Sequence, residues 1–474
     1  MESRYFRLDQ RKPKIHPLRI LCAASCIGAV QISFPFSCAL FNPLLSSFGM
    51  SSYLQPIMWL VGPLCGVLQP LIGAYNDQSN SKWGRRRPLI VTGLLLCLAG
   101  FFLFELVGRG IFVSRGWSIG MGLVAFFLLN ISNNMLGPPC RAIVFDFCGD
   151  GQQTMGSHFV ALFIGVGNLL AFAVVALLQD AYAYGMGLVV FLALPTLLFA
   201  KEQPFYTPRD PNGAHPMRRM FGAIKVVLKN SKMRNAALLY MANWAAYFCF
   251  MPIATQFVAE GLYGQKLTGH VATMQQTDPL YAEGLQMGSF AMMASSLSTA
   301  LFSAVATPIT KFFGTTSTYL ISQLLATLSF IAFFIPTTFG LEDSPHKWLW
   351  LIFVGYTALS FNYSLFNAIP FAMVAEAVPS FSTVGADGQS GRDETGVYAG
   401  VLNIPCILGQ AVSLVIQSII SSTIPIDKET EKFKNRGIMQ WQFLGEACLS
   451  FVVCILVVVF TKGVYKRQKL FGKQ

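Results

Sequence analysis

The sequence predicts an all-α polytopic membrane protein, with twelve transmembrane helices in two six-helix bundles, and three observations carry that prediction. Of 474 residues, 54% are hydrophobic and only 12% charged, with a mean hydropathy of +0.53, which is too apolar for a soluble chain of this length. The apolar residues fall into twelve runs, each long enough to supply the roughly 20 residues that a helix needs to cross about 30 Å of hydrocarbon. A long polar stretch from Lys201 to Asn235 divides those runs six and six. Barrel strands are excluded, because they would alternate over only about ten residues.

The elements follow in order. Residues 1–17 form a basic tail. The first run, 18–47, opens "LRILCAASCIGAV" and continues for a full span without a cleavage site, so it reads as a helix that stays in the membrane. Further spans are expected at 52–76, 88–108, 117–146, 153–180 and 182–200, completing the N-terminal bundle at 18–200. In the central loop, 201–234, "KEQPFYTPRDPNGAHP" reads as a flexible linker, whereas "MRRMFGAIKVVLKN" has helical spacing suited to the bilayer surface. The C-terminal bundle, 235–462, holds spans at 235–262, 285–312, 315–337, 347–376, 394–424 and 440–462, and a basic tail occupies 463–474. Several runs exceed a perpendicular span, so tilted or kinked helices are expected.

Lysine and arginine set the expected orientation. With both termini in the cytoplasm, as an even number of spans requires, most of the 34 Lys and Arg fall on the inner side. The net charge of +12 is then a topology signal on the side of the anionic leaflet, and nucleic acid is not an expected partner. The eleven cysteines lie in spans or at their inner ends with no C-x-x-C pair, so no disulfide framework is implied. The five histidines are far apart, and no metal or cofactor is expected. An enzyme would need a nucleophile with its base, or a metal cluster, within the spans, and neither pattern occurs. A long basic inner loop between two six-helix halves fits a transporter with its site near the midplane. The expected state is a monomer, and the plasma membrane is the default location.

One loop is distinctive. Between the second and third spans stand Gly73, Asp77, Gly84, Arg85, Arg86, Arg87 and Pro88, a G-x-x-x-D followed by G-R-R-R-P. This resembles the signature loop of the major facilitator superfamily. The inserted "QSNSKW" and the ending "GRRRP" resemble, more narrowly, the plant sucrose transporters and their glycoside–cation symporter group. "VGPLCGVLQPLIG" (61–73), "NNMLGPPCRAIVFDF" (133–147), "FIGVGNLLAF" (163–172), "NAIPFAMVAE" (367–376) and "GVYAGVLNIP" (396–405) point the same way, in order along the chain. The resemblance implies a sugar or glycoside cargo moved by alternating access. It also implies that Asp77 and the basic residues beyond it form ion pairs that stabilise the outward-open state.

Arg141 lies inside the fourth span, where an arginine costs about 2.5–3.5 kcal/mol on insertion scales, so something must offset that cost. Asp146 sits about 140° round the helix and is a poor partner, which leaves Arg141 facing a cavity or snorkelling to the interface. The resemblance implies that it binds sugar hydroxyls. Amides at Gln31, Gln69, Asn133, Asn134, Asn168, Asn243, Gln256, Asn362, Asn367, Asn403 and Gln410 could line a sugar site or lock helices together. The aromatic residues, at 13%, are expected mostly at lipid-facing or interfacial positions.

Two departures from the sucrose transporters stand out. Their fourth span carries an aspartate thought to take and release the coupled proton; here Asn130 occupies that place, and an amide cannot carry a proton. Their seventh span shows an acid followed four residues later by an arginine, whereas this chain has Gln256 and Glu260. The chain is therefore either a passive facilitator or couples to protons through another acid, with Glu260, Asp146 and Glu376 as candidates. A non-sugar cargo (amino acid, nucleoside or cation) and a transport-dead sensor or scaffold remain alternatives.

Overall fold

The computed structural model describes residues 14–51, 53–69, 71–72, 81–84, 86–112, 114–148, 152–178, 181–200, 216–263, 279–339, 344, 346–377, 401–423 and 434–471. Among them there is no strand, and eleven helices are long and apolar enough to cross a membrane. The first is α1, Pro17–Ser47, buried along most of its length. Its start is tied to the loop before the fifth span, where the Ile15 N–H donates to Gln152 Oε1 (2.9 Å) and Gln152 Nε2 donates to the Ile15 carbonyl (2.7 Å).

The second run is not the continuous span expected at 52–76. It is broken into α2, Leu54–Trp59, and α3, Val61–Gly66. Pro63 has no N–H to offer the Trp59 carbonyl, so the ladder is interrupted there. Turns tighten around the break, with the Leu60 N–H reaching the Ile57 carbonyl at 3.1 Å and the Val67 N–H reaching the Leu64 carbonyl at 3.3 Å. The rest of the N-terminal bundle is α4, Arg87–Gly108; α5, Arg115–Phe147; α6, Gln153–Leu177; and α7, Ala181–Phe199. Helix α1 packs on α5, α6 and α7, while α4 packs on α5 and α7. Gly93 and Gly100 of α4 sit directly under Leu136 and Leu129 of α5, a small-residue contact that brings the two backbones close.

The basic part of the central loop is a helix, α8, Pro216–Lys229, as its spacing predicts. Asn230 then caps α9, Ser231–Tyr247, accepting from the N–H groups of Lys232 (2.9 Å) and Met233 (3.1 Å). The seventh span continues beyond α9 but is irregular: a 3₁₀ turn at Met251–Ile253, one α-helical turn at Ala254–Gln256, and a π-helical stretch at Phe257–Leu262. Pro252 denies the Phe248 carbonyl its partner, which starts the break. The C-terminal bundle is completed by α10, Pro279–Phe313; α11, Thr315–Phe339; α12, His346–Ala377; α13, Asn403–Thr423; and α14, Lys434–Phe471.

Helix α9 packs on α12, α13 and α14, and α11 packs on α12 and α14. Between the bundles, α1 meets the irregular end of the seventh span, α2 and α3 meet α13, and α6 meets α10. Aromatic side chains divide between interior and periphery. Trp59, Tyr281, Tyr319, Tyr356, Phe36, Phe41 and Phe126 are fully buried, although Phe102, Phe191, Phe312 and Trp350 are exposed.

Candidate functional site

Among the described residues of the distinctive loop, Arg86 and Arg87 make contacts within the N-terminal bundle. Gly84 has φ of +108°, a conformation that side chains oppose, and the turn it permits sets the following residues at the start of α4. Arg86, with its side chain 7% exposed, donates from Nε to Asp146 Oδ2 at 3.0 Å. Arg87 donates from Nε to the Ala200 carbonyl (3.1 Å) and from Nη2 to the Leu197 carbonyl (3.0 Å). Those last carbonyls of α7 have no intrahelical partner and carry the negative end of the helix dipole, so a guanidinium suits them. The loop thus ties the third span to the ends of the fourth and sixth. Asp146, a proton-coupling candidate by sequence, is here the partner of Arg86. Gly73, Asp77 and Arg85 lie outside the described residues, as does the side chain of Glu376, which stands on α12.

Helix α5 presents a polar face at the spacing of i, i+4 and i+11: Asn130, Asn134 and Arg141. Asn130 donates to the Phe126 carbonyl (2.8 Å) and Asn134 to the Asn130 carbonyl (2.8 Å), both half-buried. The oxygen of Asn130 rests on Gly62 and that of Asn134 on Gly66, so this part of the face fills the seam with α3. Gln69, just past α3, accepts from Asn403 Nδ2 of α13, which also reaches the Gly66 carbonyl at 3.5 Å. The seam therefore crosses from one bundle to the other.

One and a half turns or more beyond the seam, Arg141 is exposed in the middle of a chain otherwise built for lipid. No carboxylate pairs with it among the described residues. It lies close enough to Tyr240 of α9 and Tyr363 of α12 for its charge to act on both phenols. Behind those rings stands an aromatic wall. Tyr247 stacks on Tyr363 with centroids 5.3 Å apart, Phe366 meets Tyr363 edge-on at 5.4 Å, and Trp244 meets Phe366 at 5.5 Å. Among the described residues the buried indole N–H of Trp244 has no acceptor within ordinary hydrogen-bond distance, its nearest polar neighbour being the Tyr240 hydroxyl. Among the described residues helix α5 makes no extended packing against α9 or α12, which leaves the bundles less closely joined on the side where the chain begins, a gap we read as a cleft.

At the opposite end the bundles are shut. Asn42 of α1 donates to the Pro252 carbonyl at 2.7 Å and accepts from Trp59 Nε1 at 2.7 Å. Ser418 of α13 donates to the Tyr53 carbonyl (2.8 Å), and Gln286 of α10 to the Ala176 carbonyl (3.0 Å). A band of rings roofs the cleft from one bundle to the other: Phe41 stacked on Phe126 (3.9 Å), Trp59 against Phe126 (5.1 Å), and Phe248 between Trp59 (6.5 Å) and Trp244 (5.9 Å).

The other sequence candidates are distributed unevenly. Gln256 and Glu260 are buried together, Gln256 Nε2 donating to Glu260 Oε1 at 2.7 Å, with the Tyr281 hydroxyl at 3.4 Å. They lie at the shut end, away from Arg141. Gln31 and Asn168 are half-buried where α1 and α6 pack closely. Asn133 accepts from Ser33 Oγ (2.6 Å) and Asn243 donates to the Tyr319 hydroxyl (2.7 Å), so both join helices of the same bundle. Sequence reasoning missed the aromatic wall and the Asn42 contact. The wall had a signal, because Tyr240, Trp244 and Tyr247 recur at intervals of four and three, but that spacing fits ordinary packing equally well.

The family model described as MFS/sugar transport protein matches residues 44–274 and 280–462. Sucrose transport protein SUT1 of Oryza sativa subsp. japonica is 26% identical over 464 residues, covering 83% of this chain and 80% of that protein. Sucrose transport protein SUC4 of Arabidopsis thaliana is 24% identical over 455 residues, covering 85% and 84%. Among solved structures, the nucleoside transporter NupG superposes with a TM-score of 0.63 at 15% identity, covering 94% of this chain and 99% of that one. A bacterial homologue of the human drug peptide transporters PepT1 and PepT2 gives 0.57 at 11% identity, covering 96% and 100%. At those identities the two structures share the fold.

Proposed function

Because this chain belongs to the family of MFS/sugar transport proteins, we propose that it moves a sugar or glycoside of the sucrose type across its membrane by alternating access. The observation that carries this reading is the exposed Arg141 in a cleft opposite Tyr240 and Tyr363. A guanidinium offers five donors in a fixed fork, and aromatic faces suit the apolar faces of a sugar ring. The cleft also relieves the cost of placing the charge at membrane depth, since Arg141 keeps contact with solvent. Asn134 and Asn403, at the seam beside it, and the Trp244 indole would add amide and N–H contacts to hydroxyls.

With both termini in the cytoplasm, the shut end faces outward and the form described is inward-facing. The Arg86 and Arg87 contacts keep the N-terminal bundle together as it rocks. Asn130, amide-bearing and packed on Gly62, supports binding and packing but no proton transfer at that position.

Uptake of labelled sucrose into vesicles holding the full chain tests the proposal. Saturable flux is expected. Arg141→Ala should weaken sucrose binding by about 10- to 150-fold, the worth of about 1.5–3 kcal/mol for hydrogen bonds to a charged group. Arg141→Lys, which keeps the charge and loses the fork, should restore only part of it. Full sucrose affinity in Arg141→Ala would sink this reading.

A further inference from the structure

Glu446 stands in α14 ten residues into the apolar stretch Gly437–Phe460, about 13.5 Å along a helix rising 1.5 Å per residue, and so near the middle of the span. It is 1% exposed, and among the described residues its carboxylate oxygens have no hydrogen-bond partner within ordinary distance, the nearest polar neighbour being the Cys249 thiol. Two polar stripes meet around it. On α14 the stripe is Gln442, Glu446 and Ser450; on α13 it is Ser413, Gln417 and Ser421; all six are buried. The oxygens of Gln442 and Gln417 are likewise buried and unpartnered. The stripes thus hold four buried oxygens that want a hydrogen.

Among the described residues the surroundings supply no counter-charge. On the seventh span Tyr247 and Cys249 face Glu446, and Glu260 lies further toward the shut end; Tyr356 comes from α12. The Cys249 thiol is already committed, donating to the Ser413 carbonyl at 3.1 Å. Helix α11 contributes Tyr319 and Gln323, and α13 contributes no titratable side chain but Cys406. The described cations of α9 and α12, Lys232, Arg234 and Lys347, are exposed at helix starts. An ionised carboxylate without a partner at this depth would cost far more than a lost hydrogen bond, whereas the acid form provides one O–H donor where acceptors crowd.

A cavity lies one helical turn from this carboxyl. It has a volume of about 40 Å³ and is lined by Gln442 and Gln417 with Asn42, Gln55, Gln256 and Glu260, at the shut end where the bundles meet. A water needs about 10–15 Å³, so the cavity has room for water to enter. Asn42 and Pro252, joined by their hydrogen bond, form part of its wall, and a rocking carrier would have to part them.

We propose that Glu446 is an intramembrane proton-binding site, loaded and unloaded through the chamber at Gln442 and Gln417. On release, the O–H bond breaks and the proton passes to water in the chamber, leaving a carboxylate; rebinding regenerates the acid, and no electron moves. This places proton binding in the C-terminal bundle, away from Asn130 and Arg141. Its role in driving transport rests on the sugar-carrier reading; proton binding itself does not.

Infrared difference spectra of the full chain in lipid vesicles test proton binding directly. Raising the external pH should remove a carboxylic-acid C=O band in the wild type. That band should be absent from Glu446→Gln and present in Glu260→Gln. A wild type without a titrating band, or a band that survives in Glu446→Gln, overturns the proposal. Flux supplies the second arm. One proton per sugar lets a gradient of one pH unit sustain about tenfold sucrose accumulation, the ratio worth about 1.4 kcal/mol. Glu446→Gln should exchange labelled sucrose like the wild type yet accumulate none, and Glu446→Asp should regain accumulation. Equal accumulation in wild type and Glu446→Gln refutes the coupling role. A wild type that exchanges no sucrose refutes the sugar-carrier reading instead, and the infrared arm alone then decides whether Glu446 binds a proton.

Discussion

Asn42 serves three segments at once: it belongs to α1, accepts from Trp59, and donates to a carbonyl within the irregular end of the seventh span. Its removal leaves a buried indole N–H and a buried carbonyl without partners, a penalty of about 1–3 kcal/mol each. Asn42→Ala should therefore favour the form in which the shut end parts. Thiol labelling of Cys38, which is buried one turn earlier on α1, should accelerate at least tenfold, the factor that about 1.4 kcal/mol gives in an equilibrium. Unchanged labelling would mean that the closure does not depend on this side chain. At this scale the sequence was partly legible. Arg141 stood out because charge is rare in a span, and its side chain is exposed. Glu446 carries the same signal, a lone acid in "FLGEACLSF", but nothing in the sequence reveals that its neighbours are acceptors. Asn130 and Asn133 look alike in sequence, yet one fills the seam with α3 and the other bonds Ser33 within the bundle; only the helix rotation separates them.

Helices were the most legible elements, since hydropathy over 20 residues reports directly on the solvent that a span must meet. Ends for α1, α4 and α5 fall within about two residues of the runs read from sequence, the uncertainty usual for helix ends. The second and seventh spans were less legible, because prolines such as Pro63 and Pro252 are tolerated in many membrane helices and break the ladder only where neighbours satisfy the freed groups. Here they do: the Tyr356 hydroxyl donates to the Ala254 carbonyl at 2.5 Å, and Asn42 takes that of Pro252. Helix α10 accommodates the irregular turns through Gly288, whose missing side chain admits the Thr255 backbone, and Gly284, which admits Ala259. Gly288→Val should force that contact apart and destabilise the protein by about 1–3 kcal/mol, as overpacking does. Thermal unfolding in detergent checks it, and a melting temperature equal to the wild type would show that the two segments separate without cost.

For the whole molecule, the arrangement of contacts matters more than their number. The bundles touch at α1 with the seventh span, α2 and α3 with α13, and α6 with α10, while α5 stands apart from α9 and α12. A rocking carrier must release the shut end to complete its cycle. Cross-linking that end should arrest it. Tyr53→Cys combined with Ser418→Cys, positions joined by a 2.8 Å hydrogen bond, should form a disulfide under oxidation and stop sucrose exchange, with reductant restoring it. Each single variant should exchange normally. Exchange that continues in the oxidised double variant would count against alternating access. This property lay beyond the sequence: a six-and-six division shows that there are two bundles, but not which ends of them meet.

The shut end is held by hydrogen bonds and ring contacts, and no ion pair between described residues joins the two bundles. Dissolved electrolyte acts on charge, over a screening length of about 10 Å at about 0.1 M, so it finds almost nothing here to weaken. The Arg86–Asp146 pair that it can reach lies within one bundle. The contacts between described residues at the shut end should therefore hold equally in dilute and in saline surroundings.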